Sequence, residues 1–113
     1  MKIVRDTLKL EELKDMAAVT FGTMVKAVVD VDRELLAVDA ELHSDLEALL
    51  LEDGSKQGDL WGINFYPELS GDDFVEFDSM INVRPSQGNR SRGVENPALR
   101  RQITGVVAKK VAK

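Results

Sequence analysis

The sequence predicts a single α+β domain, an antiparallel sheet of four to five strands with three helices packed mainly on one face. Its 113 residues have the length of one domain, and 43% of them are hydrophobic, which is enough to form a core. Segments in which hydrophobic residues alternate, as in strands, are interspersed with segments of helical periodicity. No repeat or linker divides the chain, so we treat residues 1–113 as one domain.

The N-terminal part contains signals for a strand, a helix and a hairpin. Ile3 and Val4 predict a short first strand, and hydrophobic residues at helical spacing predict a helix over residues 10–20, ending before Gly22. Two alternating runs then predict a β-hairpin that turns at residues 32–34. These runs are Val25, Ala27, Val29 and Val31, followed by Leu36, Val38, Ala40 and Leu42.

The middle of the chain predicts a second helix and another strand. Ser44 begins a capping-box sequence that ends at Glu47, in which the two side chains can satisfy free amides at a helix start. Gly54 marks the end of that helix and the start of a loop. Alternation from Leu60 to Tyr66 then predicts a strand.

The C-terminal part predicts a long strand, a polar loop and a last helix. Hydrophobic residues alternate from Phe74 to Arg84, and a polar loop continues to Gly93. Asn96 is then typical of an N-cap and Pro97 of a first helical residue. The buried stripe predicted for this helix consists of Leu99, Ile103, Val106, Val107 and Val111.

Composition excludes some classes of protein and leaves the partner open. The chain has no cysteine, which excludes disulfides and thiolate metal sites, and no apolar run approaches the roughly 18 residues of a membrane helix. We therefore expect a cytoplasmic protein that does not bind membranes. Residues 1–83 hold 7 basic and 19 acidic residues, whereas residues 84–113 hold 8 basic residues and one acidic. This asymmetry indicates either an anion-binding end or charges that neutralise each other, in the fold or across a homodimer.

Four stretches of the sequence together resemble a family of small uncharacterised prokaryotic proteins. They are residues 25–31, 37–43, 60–64 and 81–91, and the resemblance covers nearly the whole chain. It implies a separate small domain of unknown function, with no known activity, ligand or catalytic residue. One departure is the hairpin turn at Arg33 and Glu34, where relatives are expected to have a glycine.

The polar loop is the main candidate binding site, because it holds three arginines and no acidic residue. The candidate anion-binding residues are Arg84, Ser86, Gln87, Asn89, Arg90 and Arg92. Guanidinium groups bind phosphate oxygens through paired hydrogen bonds, which predicts a binding domain for a phosphorylated small molecule or a protein partner. Nucleic acid is a weaker candidate because the chain is acidic and the loop has no aromatic residue. The structural alternative is that the arginines pair with the acidic body.

An enzymatic alternative rests on carboxylates and the only histidine. Asp39, Glu41 and His43 alternate, so on a strand they would share one face as ligands for a metal-dependent hydrolase that also uses Asp78. Alternate residues lie roughly 6.6 Å apart, so one ion hardly reaches all three, and a hydrated strand face explains the pattern as well.

An acid/base pair without metal is the other enzymatic reading. It would combine Asp78 with Asn82 or Glu76, provided that these residues lie beside the strand that carries Asp39 and Glu41. A polar outer sheet face is equally consistent with this pattern. We expect no bound cofactor, and we favour a binding domain over an enzyme.

Overall fold

A five-stranded antiparallel sheet forms the centre of this computed structural model, which describes residues 1–113. The strands are β1 (Lys2–Val4), β2 (Leu8–Lys9), β3 (Val25–Asp30), β4 (Leu35–Val38), β5 (Leu60–Phe65), β6 (Val75–Glu76) and β7 (Val111–Ala112). The helices are α1 (Leu10–Val19), α2 (His43–Glu52) and α3 (Pro97–Lys110). The main sheet has the order β1-β4-β3-β5-β6, and β2 and β7 pair in parallel as a second, two-stranded sheet. The predicted α+β class is confirmed.

The main sheet is covered on both faces, with a larger core on one side. The alternation of β3 places Val25, Ala27 and Val29 on the face that packs against α1 and α3. Val28 points to the opposite face, where the smaller core forms around Leu46 of α2. Two of the three helices therefore share one face, as predicted.

The buried carboxylate of Asp30 holds the turn of the β3–β4 hairpin in place through hydrogen bonds. Asp30 Oδ1 accepts hydrogen bonds from the amides of Asp32 and Arg33, each at 2.9 Å, and its Oδ2 accepts one from Ser55 Oγ at 2.6 Å. Glu34 adopts φ +53°, in the left-handed region that favours glycine. This conformation explains why a glycine is expected at the turn in relatives.

Two predicted boundaries around α2 are wrong. Strand β4 ends at Val38, and the next residue, Asp39, has φ +75°, so the chain leaves the sheet before Leu42. Helix α2 then begins at His43 with Leu42 as its N-cap, without a side-chain hydrogen bond. The capping box predicted at Ser44 does not form, because Ser44 already lies inside the helix.

The long strand predicted from Phe74 to Arg84 is also largely wrong. Only β6 pairs with β5, and Met80–Asn82 forms a short 3-10 turn. Beyond β6 the chain comes so close to β5 that a Cβ on Gly62 would lie 2.5 Å from the Cβ of Ser79. Because Gly62 has no side chain, the turn at Met80–Asn82 and the preceding Ser79 can pack directly against β5.

The start of α3 agrees with its sequence signals. Asn96 Oδ1 accepts hydrogen bonds from the amides of Ala98 at 2.9 Å and Leu99 at 3.4 Å, and Pro97 is the first helical residue. This helix lies against β3 and β4, and its N-terminal end borders the cleft described next. None of the helices combines the length and the hydrophobicity needed to cross a membrane.

Candidate functional site

An open cleft of about 700 Å³ lies where the ends of β3 and β5 meet the polar loop and the first turns of α3. We call it the Trp61 cleft. Its lining residues are Val31, Asp32, Gly58, Asp59, Trp61, Gln87, Gly88, Asn89, Asn96, Ala98, Leu99 and Gln102. Four separate segments of the chain thus contribute to one concave surface, which is typical of a small-molecule site.

Two carboxylates on neighbouring strand ends give the Trp61 cleft its charge. Asp32 follows β3 and Asp59 precedes β5, and a hydrogen bond of 3.1 Å from the Val31 amide to the Asp59 carbonyl holds the two segments together. Neither carboxylate takes part in a salt bridge, and no lysine, arginine or histidine lines the cleft. The lining of the cleft therefore carries negative charge and no positive charge.

The side-chain amide of Gln87 forms a hydrogen bond within the cleft wall. Its Nε2 donates a hydrogen bond of 3.1 Å to the carbonyl of Gly58, which leaves Oε1 as a free acceptor. Gly88 follows with φ +78°, so the turn after Gln87 uses a conformation that favours glycine. The bond to Gly58 connects the polar loop to the segment that carries Asp59.

Trp61 forms the buried part of the cleft. Only 3% of the residue is exposed, so most of the indole is packed inside the protein. The guanidinium of Arg84 lies 4.7 Å from the centre of the indole ring and covers one of its faces. A ligand in the cleft would therefore meet only a small part of the indole.

Arg84, the first residue of the predicted anion site, is part of the packed interior. Its guanidinium donates to the carbonyl of Leu60 at 2.5 Å and to that of Ile81 at 3.0 Å. It also lies 3.5 Å from the carboxylate of Glu47, and only 9% of its side chain is exposed. Burial lowers the pKa of Arg84, and the charge of Glu47 opposes this shift.

Asn89, another residue of the predicted anion site, organises the polar loop from within. Its Nδ2 donates to the carbonyl of Asn82 at 2.7 Å and to that of Gly93 at 2.8 Å. Its Oδ1 accepts a hydrogen bond of 2.9 Å from the amide of Glu95. Although Asn89 lines the cleft, its amide is already used by the protein.

Carboxylates of the protein also occupy the exposed part of the polar loop. Arg92 Nε lies 2.7 Å from Asp78, and the carboxylate of Glu95 accepts hydrogen bonds from the amides of Arg90 at 2.6 Å and Ser91 at 2.9 Å. These two amides hold the pKa of Glu95 below its usual range. Of the six predicted anion ligands, only Gln87 and Asn89 reach the cleft, while Ser86 and Arg90 are exposed on the loop.

The alternative metal residues do not lie on a strand. Asp39 and Glu41 belong to the connection before α2, and His43 is the first residue of that helix. His43 is buried and its Nε2 donates a hydrogen bond of 2.8 Å to the carbonyl of Ile63, so the two carboxylates and the imidazole do not share a strand face. The structure contains no group of three histidine, aspartate or glutamate side chains placed to hold a metal ion.

The residues of the acid/base hypothesis are separated by the sheet order. Glu76 lies on β6, whereas Asp39 follows β4, and the two strands between them place these residues roughly 14 Å apart. Glu76 accepts hydrogen bonds from Asn64 at 2.9 Å and Tyr66 at 3.1 Å. Burial and the hydrogen bond to Glu76 raise the pKa of Tyr66.

Sequence reasoning did not identify Asp32, Asp59 or Trp61 as site residues. Both aspartates lie next to predicted strands, where an acidic residue is ordinary. They become neighbours only because β3 pairs with β5, with Asp30 opposite Leu60. A signal that could have suggested them is their position, since each follows or precedes a hydrophobic strand at the same end of the sheet.

The comparisons with known proteins give a family but no activity. A family model described as a protein of unknown function (DUF5674) matches residues 2–110. No curated protein and no solved structure matches the chain. The match covers every element of the main sheet and all three helices, so it concerns the whole fold and the cleft within it.

Proposed function

We propose that this chain, which belongs to the DUF5674 family of proteins of unknown function, is a small binding domain whose ligand occupies the Trp61 cleft. The volume of about 700 Å³ is within the usual range for small-molecule sites. The Val31–Asp59 and Gln87–Gly58 hydrogen bonds hold the cleft walls in place, which reduces the ordering cost of binding.

The observation that carries this proposal is that two carboxylates in the cleft have no basic partner and that no basic residue lines the cleft. Asp32 and Asp59 have no basic partner, although three arginines occur in the polar loop that forms one wall. A ligand that donates hydrogen bonds or carries positive charge would complete their interactions. The proposed ligand is therefore small and polar, and it is neutral or cationic.

Anion binding by the polar loop stays a prediction with less support. The guanidinium of Arg84 is packed against Trp61 and Glu47, and Arg92 is paired with Asp78. A phosphorylated ligand would have to compete with these carboxylates. Nucleic-acid binding, a homodimer and the metal-dependent hydrolase likewise stay predictions. We also propose a cytoplasmic location, which is supported by the absence of cysteine.

A binding screen with a blocked cleft tests the proposal. Ala98 lies exposed at the cleft wall, so Ala98→Trp would fill the cleft without disturbing the core. Ala18→Trp, on the exposed side of α1, is the matched control. We expect small polyols or amines to raise the melting temperature of the wild type and of Ala18→Trp, but not of Ala98→Trp. Equal shifts in all three proteins, or no shift with any ligand, would contradict the proposal.

A further inference from the structure

We infer that a second cavity, next to the Trp61 cleft, binds the primary carboxamide group of a small neutral molecule. This cavity, which we call the Arg84 pocket, has a volume of about 390 Å³. It lies where Glu47 of α2 meets the first residues of the polar loop, and it shares Gln87 with the Trp61 cleft. The inference concerns a separate site, so it does not depend on the proposed function.

Two buried side-chain atoms of the residues that line this pocket have no hydrogen-bond partner. The side chains of Arg84 and Glu47 are only 9% and 14% exposed. Arg84 uses Nε and Nη2 for the carbonyls of Ile81 and Leu60, whereas its Nη1 is buried without a partner. Oε2 of Glu47 is also buried without a hydrogen bond, 3.5 Å from Nη2 of Arg84. Because buried polar groups in proteins are nearly always hydrogen-bonded, this adjacent donor and acceptor point to a ligand.

The charges around the pocket select a neutral ligand group. Arg84 and Glu47 are the only charged residues in its lining, and their charges are opposite. A carboxylate or phosphate could accept from Nη1 of Arg84, but it would meet the negative charge of Glu47. An amine would meet the positive charge of Arg84 in the same way. The group that satisfies both side chains is therefore neutral, and it both accepts and donates hydrogen bonds.

A carboxamide has these properties in one rigid group. Its oxygen accepts and its NH₂ donates, and the two atoms lie side by side in one plane, whereas a hydroxyl must serve both partners from a single oxygen. The protein itself uses a carboxamide for such a pair. The side chain of Asn82 accepts from the amide of Gly62 at 2.8 Å and donates to its carbonyl at 2.9 Å.

Apolar side chains at the opening of the pocket predict an apolar body on the ligand. Met80 and Val83 both line the pocket and are 66% and 37% exposed. Pro85, which is also exposed, adds a third apolar surface. Contact with a ring or an alkyl chain would remove this surface from water, which favours binding. We therefore expect an aromatic or aliphatic carboxamide to bind more tightly than acetamide.

Three molecules of nearly the same shape test the chemistry of the group. Benzamide is neutral and has a donor and an acceptor, benzoate is an anion with acceptors only, and benzamidine at neutral pH is a cation with donors only. In titrations of the full chain followed by NMR, we expect benzamide to bind about tenfold more tightly than either charged molecule. Benzyl alcohol, which is neutral but has a single oxygen, should also bind more weakly than benzamide.

Variants of the full chain assign the binding to this pocket. Glu47→Gln removes the negative charge beside Arg84, so it should bind benzoate about tenfold more tightly than the wild type does. A variant that failed to fold would lose binding rather than gain it. Ser86→Trp, at an exposed position in the lining, should block benzamide binding. Ala98→Trp, which fills the Trp61 cleft, is the matched control and should leave benzamide binding unchanged.

The opposite results would overturn the inference. If benzyl alcohol binds as tightly as benzamide, the pocket does not recognise a carboxamide. If benzoate or benzamidine binds the wild type as tightly, Arg84 and Glu47 do not select a neutral group. If benzamide does not bind, or if Ala98→Trp abolishes its binding and Ser86→Trp does not, the Arg84 pocket is not a carboxamide site.

Discussion

The side-chain amide of Asn82 forms two hydrogen bonds with the backbone of Gly62. Its Oδ1 accepts from the Gly62 amide at 2.8 Å, and its Nδ2 donates to the Gly62 carbonyl at 2.9 Å. A residue in a neighbouring antiparallel strand would form the same pair of bonds with its own backbone. Nδ2 also donates to the carbonyl of Arg92 at 2.9 Å, so this one side chain connects β5 to the polar loop.

Replacing Asn82 should therefore destabilise the whole domain. Asn82→Ala leaves the buried amide and carbonyl of Gly62 without partners, so we expect a loss of about 3 kcal/mol in the free energy of unfolding. Asn96→Ala, which removes an exposed helix cap, should cost only about 1 kcal/mol. Urea denaturation measures both. A loss at Asn82 no larger than that at Asn96 would show that other groups or water can satisfy the backbone of Gly62.

The hydrogen bonds between Asn82 and Gly62 also show why the sequence predicts some elements of the fold and not others. Helices α1 and α3 and strands β3 and β5 follow from hydrophobic periodicity, because their packing repeats at regular intervals. The segment after β6 alternates just as regularly. Its polar residues Ser79 and Asn82 are buried, however. Asn82 bonds to Gly62 of β5 through its side chain, and the amide of Ser79 bonds to the carbonyl of Arg92, so the expected ladder does not form. Periodicity reports burial on alternate sides and contains no information about which partner satisfies the backbone.

We expect Arg84 to stabilise the folded protein rather than to bind an anion. Arg84→Met removes a guanidinium that bonds two backbone carbonyls and leaves the carboxylate of Glu47 largely buried without its cation. Loss of one partner from a buried pair costs about 3 kcal/mol or more, and a second substitution, Glu47→Leu, should restore part of it. Arg90→Ala, on the exposed loop, should change stability by less than about 0.5 kcal/mol.

Chemical denaturation of these variants would show whether Arg84 has the expected role. An Arg84→Met protein as stable as Arg90→Ala, or a double variant less stable than Arg84→Met alone, would contradict it. The sequence marks the arginines of the polar loop as an unusual cluster. It could not show that one of them points inward, because that direction depends on how the loop packs against β5 and α2.

Stability should fall as the pH decreases below neutrality because of His43. Burial lowers the pKa of His43, and the charge of Lys26 adds to this, while the hydrogen bond to Ile63 and the charge of Asp78 oppose it. The unfolded chain, with a histidine pKa of about 6.5, therefore binds the proton more readily than the folded protein. The stabilisation is complete above that value and is lost as the pH falls through the pKa of the folded state.

Because His43 is the only histidine, this part of the pH profile can be assigned. His43→Gln keeps a donor for the carbonyl of Ile63 and has no titrating group, so its stability should vary less with pH in this range. The measurement is urea denaturation at several pH values, with the pKa of His43 followed by NMR. A wild-type profile as flat as that of the variant would contradict the expected shift.

The carboxylate of Glu95 should keep external anions away from the polar loop. It occupies the amides of Arg90 and Ser91, which point toward the same oxygen, as they would toward a bound anion. Glu95→Ala frees these amides and removes a negative charge beside the exposed side chain of Arg90. We expect this variant to have a lower melting temperature than the wild type and to recover part of it in inorganic phosphate, whereas the wild type should respond little.

A phosphate titration of further variants separates this effect from the anion site predicted from the sequence. Asp72→Ala removes an exposed carboxylate elsewhere, so it controls for net charge and should behave like the wild type. Arg90→Ala combined with Glu95→Ala should lose the response to phosphate. A wild-type response as large as that of Glu95→Ala would mean that Glu95 does not occupy the site. If Arg90→Ala then abolishes that response, the loop binds anions as its arginines predicted, and the protein has an anion site separate from the acidic Trp61 cleft.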